Sequence, residues 1–371
     1  MALKVILTGG GTGGHLYPGL AIAEALKEKM ACEIVYVGTN RGIESRVIPE
    51  TEYHLYTIWM TGIHRGRIWI NLLFPLRALV SLIQSLIIVH RYKPDLVIGT
   101  GGYVSWPVMM AAWMLHAARF IQEQNKKPGL VNCKLAPFMQ GVFLSYHESK
   151  AYFNRKDHLH VCGNPTRSGL EFTDRSKGYE IFKLSPERTT LFIFGGSQGA
   201  LGINRAFLQR IEEIMKIQNI QILWATGPRW LEEIQSGTGS FSDRIRVMPY
   251  IQNMGAAYAI ADLIVCRSGA TTIAEITRLG KPALYIPFPG AAANHQEENA
   301  RVLAEADAAA MVLESEIPEG KLERLLNVLL HNKTMRDSMG KKARKFGHPD
   351  AARDIVNQLV SEITISGDDT I

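Results

Sequence analysis

The glycine-rich stretch near the amino terminus constrains the fold more than any other feature of this sequence. Five of the six residues from Gly9 to Gly14 are glycine, and His15 follows them directly. An apolar run precedes the stretch and an amphipathic segment follows it, which is the order of a strand, a turn and a helix. Backbone N–H groups in such a turn, together with the helix N-terminus, form an anion site. We therefore expect this loop to bind a diphosphate.

Short apolar runs alternate with helical patterns through the first half of the chain. The runs are nearly continuous and often β-branched, as expected of parallel strands buried on both faces. The segments between them have an apolar spacing near 3.6 residues. This alternation predicts an α/β fold with a doubly wound parallel sheet. The predicted strands are Lys4–Leu7, Glu33–Val37, Asp95–Ile98, Arg119–Gln122, Gly141–Leu144 and His158–Val161.

The pattern restarts in the second half of the chain. The run Asp262–Gly269 resembles Asp95–Gly102, because each is a strand that ends in a small-residue turn before a helix. The strand Thr190–Phe194 leads into a second glycine turn, Gly195–Gly199, and a helix predicted to reach Lys216. Two Rossmann-like domains are therefore expected, and 371 residues are enough for both. The further predicted strands are Gln221–Trp224, Arg244–Met248, Asp262–Cys266 and Ala283–Ile286.

The expected domain boundary lies near Asn164, which gives a first domain of residues 1–163 and a second of residues 164–346. Helical spacing covers residues 321–346. Residues 347–371 are predicted to form a last helix, to about Ile363, that packs back on the first domain, with a disordered end from Ser366. Ligands of open parallel sheets bind at the carboxyl ends of the strands, so both glycine turns are expected to face one cleft between the domains.

Positive charge is concentrated in the first domain. Residues 1–163 contain 17 Lys and Arg against 10 Asp and Glu, whereas residues 164–371 contain 24 against 25. A basic half beside a neutral one indicates an anionic partner such as nucleic acid, a membrane surface or phosphates, or else a chance excess on solvated faces. The four cysteines lack metal-ligand spacing and no secretory pattern precedes Val5, so reduced thiols in a cytosolic protein are expected.

Two common nucleotide motifs are disfavoured by the residues around the first glycine turn. The spacing Gly9-x-Gly11-x-x-Gly14 matches a dinucleotide fingerprint, but that motif needs an acidic residue at the end of the second strand to hold the ribose. The second strand ends instead in Gly38-Thr39-Asn40. A P-loop needs Lys followed by Ser or Thr after its last glycine, where this chain has His15-Leu16.

His15 is the candidate general base. A histidine beside a helix N-terminus tends to be neutral, because the positive end of the helix dipole disfavours imidazolium. A neutral imidazole is a competent proton acceptor near pH 7. The alternative is a structural histidine that is hydrogen-bonded to the loop backbone.

Two turns of the second half carry groups suited to a sugar nucleotide. Ser197 can donate its hydroxyl, and the amides of Gly196–Gly199 can hold a phosphate. A later strand leads into Arg267-Ser268-Gly269 and a helix, in which the Glu275 carboxylate can accept from both hydroxyls of a ribose. The segment Asn294–Asn299 is rich in groups that bind hydroxyls. The alternatives are a glutamate that complements the helix dipole and a solvated helix start.

The most apolar stretch, Ile68–Val89, indicates contact with a membrane surface. Only twelve residues separate Arg77 from His90, which is short of the ~20 needed to span a bilayer. Positive residues flank the stretch within the region 65–93, as is typical of an apolar patch that rests on anionic lipid. The alternative is a helix buried on the sheet. The flanking cations are Arg65, Arg67, Arg77, Arg91 and Lys93.

Several separate motifs are spread over about residues 3–362. They are Gly10-Gly11-Thr12-Gly13-Gly14-His15 with Pro18-Gly19, Gly99-Thr100-Gly101-Gly102-Tyr103 with Pro107, Glu123-Gln124-Asn125, Gly163-Asn164-Pro165 with Arg167, Gly195–Ala200, and Cys266–Ala270 with Glu275. Together they resemble the MurG family of UDP-N-acetylglucosamine transferases. The resemblance implies a GT-B fold, in which two Rossmann-like domains face each other across a cleft, and an inverting transfer that needs no metal and no cofactor.

The resemblance also implies which residues bind the two substrates. The first domain is implied to face the membrane and hold lipid I, an undecaprenyl-pyrophosphoryl-N-acetylmuramyl peptide, and the second to hold UDP-N-acetylglucosamine. The chain departs from the family at His295-Gln296, where members often carry two glutamines, and along Phe288–Ala293. The implied acceptor-diphosphate residues are Gly10, Gly11, Gly101, Gly102 and Tyr103. The implied sugar-nucleotide residues are Thr12, Gly13, Gly14, Asn125, Arg167, Ser197, the Ile251 backbone, Ala270, Thr271, Thr272, Ile273, Ala274, Glu275, Gln296 and Asn299.

The implied reaction transfers N-acetylglucosamine to the 4-hydroxyl of N-acetylmuramic acid in lipid I and gives lipid II for peptidoglycan synthesis. His15 would take the proton, while backbone amides and a helix dipole would stabilise the leaving diphosphate. The implied location is peripheral, on the cytoplasmic face of the inner membrane, with no nucleic-acid partner. Alternatives are a transferase for another lipid acceptor such as diacylglycerol, a UDP-sugar epimerase of the same fold, and a non-catalytic, membrane-docked subunit that binds nucleotide sugars.

Overall fold

The chain folds into two units, and the first contains both ends of the sequence. The computed structural model describes residues 2–62, 72–171, 174–196, 198–291 and 294–368, with side chains as far as residue 363. The first unit comprises Met1–Arg167 and His348–Ile371, and the second comprises Ser168–Gly347. Each unit is built on its own parallel sheet, which confirms the predicted α/β class.

The sheet of the first unit places the first glycine turn at the point where the strand order reverses. Its strands are β1 (Leu3–Thr8), β2 (Cys32–Gly38), β3 (His54–Thr57), β4 (Leu96–Gly99), β5 (Ala118–Glu123), β6 (Gly141–Leu144) and β7 (Leu159–Val161). They pair in the order β3-β2-β1-β4-β5-β6-β7, all parallel. Strands β1 and β4 are neighbours although β2 and β3 lie between them in sequence, and such switch points are where open α/β sheets bind ligands.

Apolar helices cover both faces of this sheet. They are α1 (Gly13–Lys29), α2 (Glu44–Val47), α3 (Phe74–Tyr92), α4 (Ser105–Met114) and α5 (Leu130–Leu135), with single 3-10 turns at Ile48–Glu50, Ala136–Phe138 and His147–Tyr152. Two clusters of buried side chains, one on each face, form the core.

The second unit repeats this plan. Its strands are β8 (Thr189–Phe194), β9 (Ile220–Ala225), β10 (Ile245–Met248), β11 (Leu263–Cys266), β12 (Ala283–Tyr285) and β13 (Ala310–Met311). They pair in the order β10-β9-β8-β11-β12-β13, all parallel. The order reverses at β8, so β8 and β11 are the adjacent strands whose carboxyl ends lead into the two predicted turns.

The helices of the second unit are α6 (Arg175–Phe182), α7 (Leu201–Leu208), α8 (Ile211–Ile214), α9 (Leu231–Gly237), α10 (Met254–Ile260), α11 (Ala270–Leu279), α12 (His295–Glu305), α13 (Lys321–His331) and α14 (Lys333–Arg344). Single 3-10 turns lie at Pro228–Trp230, Gly239–Phe241 and Glu314–Glu316. The last helix, α15 (Ala351–Asp368), belongs to the first unit, where Ile355 and Leu359 are buried in the same cluster as Leu16 and Ile22 of α1.

The structure differs from the sequence predictions at a few elements. Strands β3 and β13 were not predicted, because both lie at sheet edges and are too short or too exposed to give an apolar run. The helix predicted to reach Lys216 is divided into α7 and α8. The helical segment 321–346 is divided at Asn332, whose side chain accepts from Met335 N–H and caps α14. Helix α15 extends to Asp368, beyond the predicted helix end near Ile363, and the rest of the predicted disordered end lies outside the described residues.

Candidate active site

Two glycine turns of the first unit meet at the carboxyl ends of adjacent strands. The turn Gly9–Thr12 follows β1, and the turn Thr100–Gly102 follows β4. Gly102 has a φ of 82°, and a Cβ atom on it would lie 2.5 Å from the carbonyl oxygen of Gly10. The close approach of the two backbones therefore requires glycine at residue 102. The structure thus brings the two predicted acceptor-diphosphate turns together.

His15 lies between these turns, near the start of α1. Its Nδ1 is 3.1 Å from the carbonyl oxygen of Thr100 and 3.0 Å from Oε1 of Gln124. Gln124 donates from Nε2 to the Thr100 carbonyl oxygen at 2.6 Å, which directs its Oε1 toward the imidazole. Because a backbone carbonyl can only accept, Nδ1 is the nitrogen that carries a proton, and in a neutral imidazole the lone pair is then on Nε2. The imidazole is therefore oriented with Nε2 as its basic atom.

A buried carboxylate, Glu44, lies beneath the first glycine turn. It accepts from Gly11 N–H at 2.9 Å, from Thr39 N–H at 3.0 Å and from the Thr39 hydroxyl at 2.7 Å. The Gly11 amide is therefore already engaged. An anion at this turn can instead bind the amides of Gly13 and Gly14. These are the first amides of α1, and they have no acceptor within the helix. Glu44 follows β2 by six residues and belongs to none of the motifs described above, so it could not be predicted as a site residue.

The ring of Tyr103 packs against the same turn. A Cβ atom on Gly11, which has a φ of 82°, would lie 3.0 Å from Cε1 of Tyr103. Burial raises the pKa of the Tyr103 phenol, and the Glu44 charge adds to the effect. The phenol therefore stays protonated and can donate to an anion at this turn.

Asn125 and Arg167 are held by other side chains of the first unit. Glu123 accepts from Asn125 N–H at 2.9 Å and from Asn125 Nδ2 at 3.2 Å. The guanidinium of Arg167 lies 4.9 Å from the ring centroid of Tyr17 on α1. A Cβ atom on Gly13 would lie 3.0 Å from that ring. Arg167 is thereby positioned beside the N-terminal turn of α1.

The second unit has a cavity of about 660 Å³ at the carboxyl ends of β8 and β11, within the size range of small-molecule sites. The glycine turn after β8 forms one wall. A Cβ atom on Gly199, which has a φ of 75°, would lie 1.9 Å from the carbonyl oxygen of Thr226, so this close approach requires glycine. Ser197 lies outside the described residues. The lining includes Gly195, Gly196, Gly199, Arg205, Arg267, Gly269, Thr272, Gln296 and Glu314.

The turn after β11 has hydroxyl donors for which the described residues provide no acceptor. Gly269 precedes α11 and provides no side-chain cap, so the first amides of the helix, from Ala270 to Thr272, have no acceptor within it. The hydroxyls of Ser268 and Thr271 are buried and have no hydrogen-bond partner among the described residues. Orphan buried hydroxyls are unusual in native structures and call for an explanation. Together with the helix dipole, these donors suit a diphosphate.

The other predicted sugar-nucleotide residues lie around this cavity at different depths. Gln296 lines it, and its Oε1 accepts from Phe288 N–H at 3.0 Å. Glu275 is only 2% exposed, and its Oε2 accepts from the Tyr258 hydroxyl at 2.8 Å. The predicted sugar-nucleotide residues that are buried and do not line the cavity are Ile251, Ala270, Ile273, Glu275 and Asn299.

Arg267 positions the loop in which the chain departs from the family pattern. Its Nη1 donates to the carbonyl oxygens of Ile286 and Pro287 at 3.0 Å each, and its guanidinium pairs with Glu314. The guanidinium also lies 5.4 Å from the ring centroid of Phe288. Arg267 therefore holds Ile286, Pro287 and Phe288, which follow β12. In the described part of the chain, no cluster of three or more His, Cys, Asp or Glu is suited to a metal ion.

Helix α3 has an apolar face that the protein leaves exposed. By length and composition alone, Phe74–Tyr92 is long and apolar enough to cross a membrane, with a mean hydropathy of 1.3. It buries Ser81, Ser85 and Val89, while the opposite side is exposed. Of the predicted flanking cations, Arg91 and Lys93 are exposed, Arg77 packs on Trp59, and Arg65 and Arg67 lie outside the described residues. The exposed side chains are Leu76, Leu79, Ile83 and Ile87, joined by Trp113, Met114 and Leu115 at the end of α4.

Two doubly wound units, each with a glycine turn at its switch point, define the GT-B class of fold. Comparison with known proteins agrees with this class. Residues 5–144 match the glycosyltransferase family 28 N-terminal domain, and residues 190–355 match the glycosyltransferase family 28 C-terminal domain. The chain belongs to glycosyltransferase family 28.

Individual relatives are similar over nearly the whole chain. The UDP-N-acetylglucosamine–N-acetylmuramyl-(pentapeptide) pyrophosphoryl-undecaprenol N-acetylglucosamine transferase of Desulforamulus reducens is 39% identical over 361 residues, 95% of this chain and 97% of the relative. The enzyme of the same name from Chlorobium phaeobacteroides is 39% identical over 363 residues, 96% and 99% of the two chains. The crystal structure of Acinetobacter baumannii MurG matches with a TM-score of 0.76 at 27% identity, over 97% of this chain and 99% of that one. The predicted resemblance to the MurG family and the GT-B fold are confirmed.

Proposed function

We propose that this enzyme transfers N-acetylglucosamine from UDP-N-acetylglucosamine to the 4-hydroxyl of N-acetylmuramic acid in lipid I and so produces lipid II. The relatives that share 39% of its sequence carry this activity in their names. The observation that carries the proposal is the tethering of His15, whose Nδ1 lies within hydrogen-bond distance of the Thr100 carbonyl oxygen and Gln124 Oε1, beside two glycine turns. A donor cavity alone would suit many nucleotide-binding proteins, whereas an oriented base suits a transferase.

The second unit is proposed to bind the donor. The amides that open α11 and the orphan hydroxyls of Ser268 and Thr271 would hold the diphosphate, and Glu275 would accept from the ribose hydroxyls. As the bond between the anomeric carbon and the phosphate oxygen breaks, negative charge grows on the diphosphate. Fixed amides and a helix dipole directed at that charge stabilise the transition state more than the ground state.

The first unit is proposed to bind the acceptor. The amides of Gly13 and Gly14 and the phenol of Tyr103 would seat its pyrophosphate. The acceptor 4-hydroxyl attacks the anomeric carbon with inversion, its proton passes to Nε2 of His15, and UDP departs with the bonding electrons. General base catalysis of this kind contributes about 10²–10⁴-fold to a rate.

The exposed face of α3 is proposed to rest on an anionic membrane surface, where a lipid-linked acceptor would be reached. Leucine and isoleucine side chains enter the acyl boundary, and the exposed cations Arg91 and Lys93 interact with lipid phosphates. Helix α3 packs on the protein with its other face, which supports lying in the interface rather than crossing it. The four cysteines are free thiols, which supports a reducing compartment and therefore the cytoplasmic face of the membrane.

The decisive experiment measures transfer of labelled sugar from UDP-N-acetylglucosamine to a lipid I analogue, with diacylglycerol as the competing acceptor. We expect labelled product from the lipid I analogue alone. Transfer to diacylglycerol, conversion of the nucleotide sugar into an epimer, or binding without UDP release would each refute the proposal in favour of one of the alternatives.

Membrane binding is tested separately with anionic vesicles. Leu79→Glu and Ile83→Glu are expected to lower the vesicle-bound fraction several-fold and to leave turnover of a water-soluble acceptor analogue unchanged. Val328→Glu is the matched control, because Val328 is an equally exposed apolar residue on the second unit. Equal losses in all three variants would contradict docking through α3.

A further inference from the structure

The second unit contains another cavity, which the reaction above does not use. It has a volume of about 740 Å³ and lies beside Asp262 and Pro282, which precede β11 and β12. The donor cavity lies where parallel strands of the same sheet end. The two cavities are therefore at opposite edges of one sheet, and the second cannot be part of the diphosphate site.

The lining of this cavity is strongly basic. Seven lysine and arginine side chains and two aspartates leave it a formal charge of +5. Arg175 pairs with Asp262 at 2.7 Å and Lys333 pairs with Asp337 at 2.9 Å. The other five form no salt bridge with a carboxylate in the described part of the chain. They are Lys281, Arg336, Lys341, Arg344 and Lys345.

Three of these cations are held in place by backbone carbonyls. Arg336, only 6% exposed, donates from Nη1 to the carbonyl oxygens of Leu329 and Leu330, near the end of α13. Lys281 donates to carbonyl oxygens at the end of α10 and Arg344 to one at the end of α11. Capping of helix C-termini accounts for these contacts. Capping does not explain why three helix ends meet at one cavity. These hydrogen bonds engage one nitrogen each of Arg336 and Arg344, and a guanidinium has five N–H donors.

The electrostatics of Lys281 favour an added anion. Burial and the charges of Arg175 and Arg344 lower the pKa of Lys281 to about 8, while Asp262 acts in the opposite direction. Protonated Lys281 is thus less stable here than in water. A bound anion would restore part of that lost stability.

We propose that this cavity is a second anion site, which binds a small soluble ligand carrying two or more phosphate groups. The volume lies in the range of small-molecule sites, about 300–1,000 Å³, and exceeds what a single phosphate needs. Fixed guanidinium groups match phosphate oxygens in geometry and charge. The cations surround a concavity, where a compact phosphate compound can contact several of them at once.

The test uses inorganic pyrophosphate and the full chain, with UDP at saturation to occupy the donor site. Lysines are acetylated with an amine-reactive reagent and read residue by residue by mass spectrometry. We expect pyrophosphate to slow labelling of Lys341 and Lys345 at least fivefold. Lys342 is the internal control, because it lies on the same helix but pairs with Asp307 and does not line the cavity.

Variants provide an independent measurement. Lys341→Ala and Lys345→Ala remove exposed side chains, so folding is preserved, and each is expected to weaken pyrophosphate binding at least threefold in calorimetry, whereas Lys342→Ala leaves it unchanged. Sugar transfer should be unaffected in all three.

Three outcomes would overturn the proposal. Unchanged labelling at Lys341 and Lys345 would mean that no site exists. Equal slowing at Lys342 would reveal diffuse charge screening. Slowing by anionic vesicles but not by pyrophosphate would make the cavity part of a membrane-binding face.

Discussion

The turn after β1 in the first unit and the turn after β11 in the second follow central strands in the same way, but their surroundings differ. The first lies on the buried Glu44 carboxylate and beside His15, whose Nδ1 is hydrogen-bonded. The second carries the hydroxyls of Ser268 and Thr271, for which the described residues provide no partner.

This difference corresponds to two chemical tasks. A histidine that acts as a general base needs one unprotonated nitrogen and a fixed ring orientation. Its other nitrogen is therefore hydrogen-bonded within the protein. A site for a leaving diphosphate must keep its donors available until the ligand arrives, because donors already paired would have to be released first. We therefore expect substitutions in the first turn to change turnover and those in the second to change nucleotide affinity.

The largest effect is expected from His15→Ala. Loss of the base should lower kcat by about 10²–10⁴-fold, the range typical of general base catalysis. Affinity for UDP should stay within threefold of the wild type, because His15 belongs to the first unit. Steady-state kinetics and calorimetry measure the two quantities.

His331→Ala is the matched control for this prediction, since His331 is an exposed histidine of the second unit whose Nδ1 lies 2.8 Å from the Asn327 carbonyl oxygen of its own helix. Turnover of His15→Ala within a few-fold of the wild type, in a normally folded protein, would show that His15 is the structural histidine considered as the alternative.

A smaller effect is expected from Glu275→Gln. A hydrogen bond to a charged group contributes about 1.5–3 kcal/mol, so affinity for UDP should fall about 10–100-fold. Affinity for 2′-deoxyuridine diphosphate should change far less, because one of the two ribose hydroxyls is already missing. Equal losses for both nucleotides would contradict ribose binding and indicate that Glu275 serves only its contact with Tyr258.

The central strands and the glycine turns could be predicted from the sequence because their signals are local. A strand buried on both faces is a continuous apolar run, and a turn that brings backbones together needs glycine within a few residues. Edge strands such as β3 could not be predicted in this way, because their exposed residues do not form an apolar run. A charge count over half of the chain does not reveal local clusters of charge. The second half is almost neutral overall, yet six of its cations lie between Lys333 and Lys345.

The residues that organise the site could not be predicted, because their partners are distant in sequence. Gln124 and His15 are 109 residues apart, and Glu44 and Gly11 are 33 apart. Such pairs are created by the strand order of the sheet, which brings β1, β2, β4 and β5 side by side. A single sequence contains no local trace of that proximity.

Gln124→Met tests one of these distant partners. We infer that Gln124 is a positioning residue, so its loss should lower kcat about tenfold, which corresponds to about 1.4 kcal/mol, and leave KM for UDP-N-acetylglucosamine unchanged. The Thr100 carbonyl still accepts from Nδ1, which keeps the effect below that of His15→Ala. Gln140→Met is the matched control, because Gln140 bonds to Arg119 N–H at the start of β5. Parallel changes in kcat and KM would contradict a role in orienting the base.

The smallest effect is expected from Thr271→Val. This variant tests most directly whether the turn after β11 keeps its donors available for the nucleotide. The substitution replaces a buried, unpartnered hydroxyl with a methyl group of similar size. Thermal stability should therefore stay equal or rise, while UDP affinity falls about three- to tenfold, the equivalent of one neutral hydrogen bond. Thr277→Val, on the same helix, should do the reverse, because Thr277 donates to the Ile273 carbonyl oxygen and lies away from the turn. If Thr271→Val loses stability but not UDP affinity, the hydroxyl stabilises the fold and does not bind the nucleotide. That result would contradict the assignment of nucleotide binding to the turn after β11.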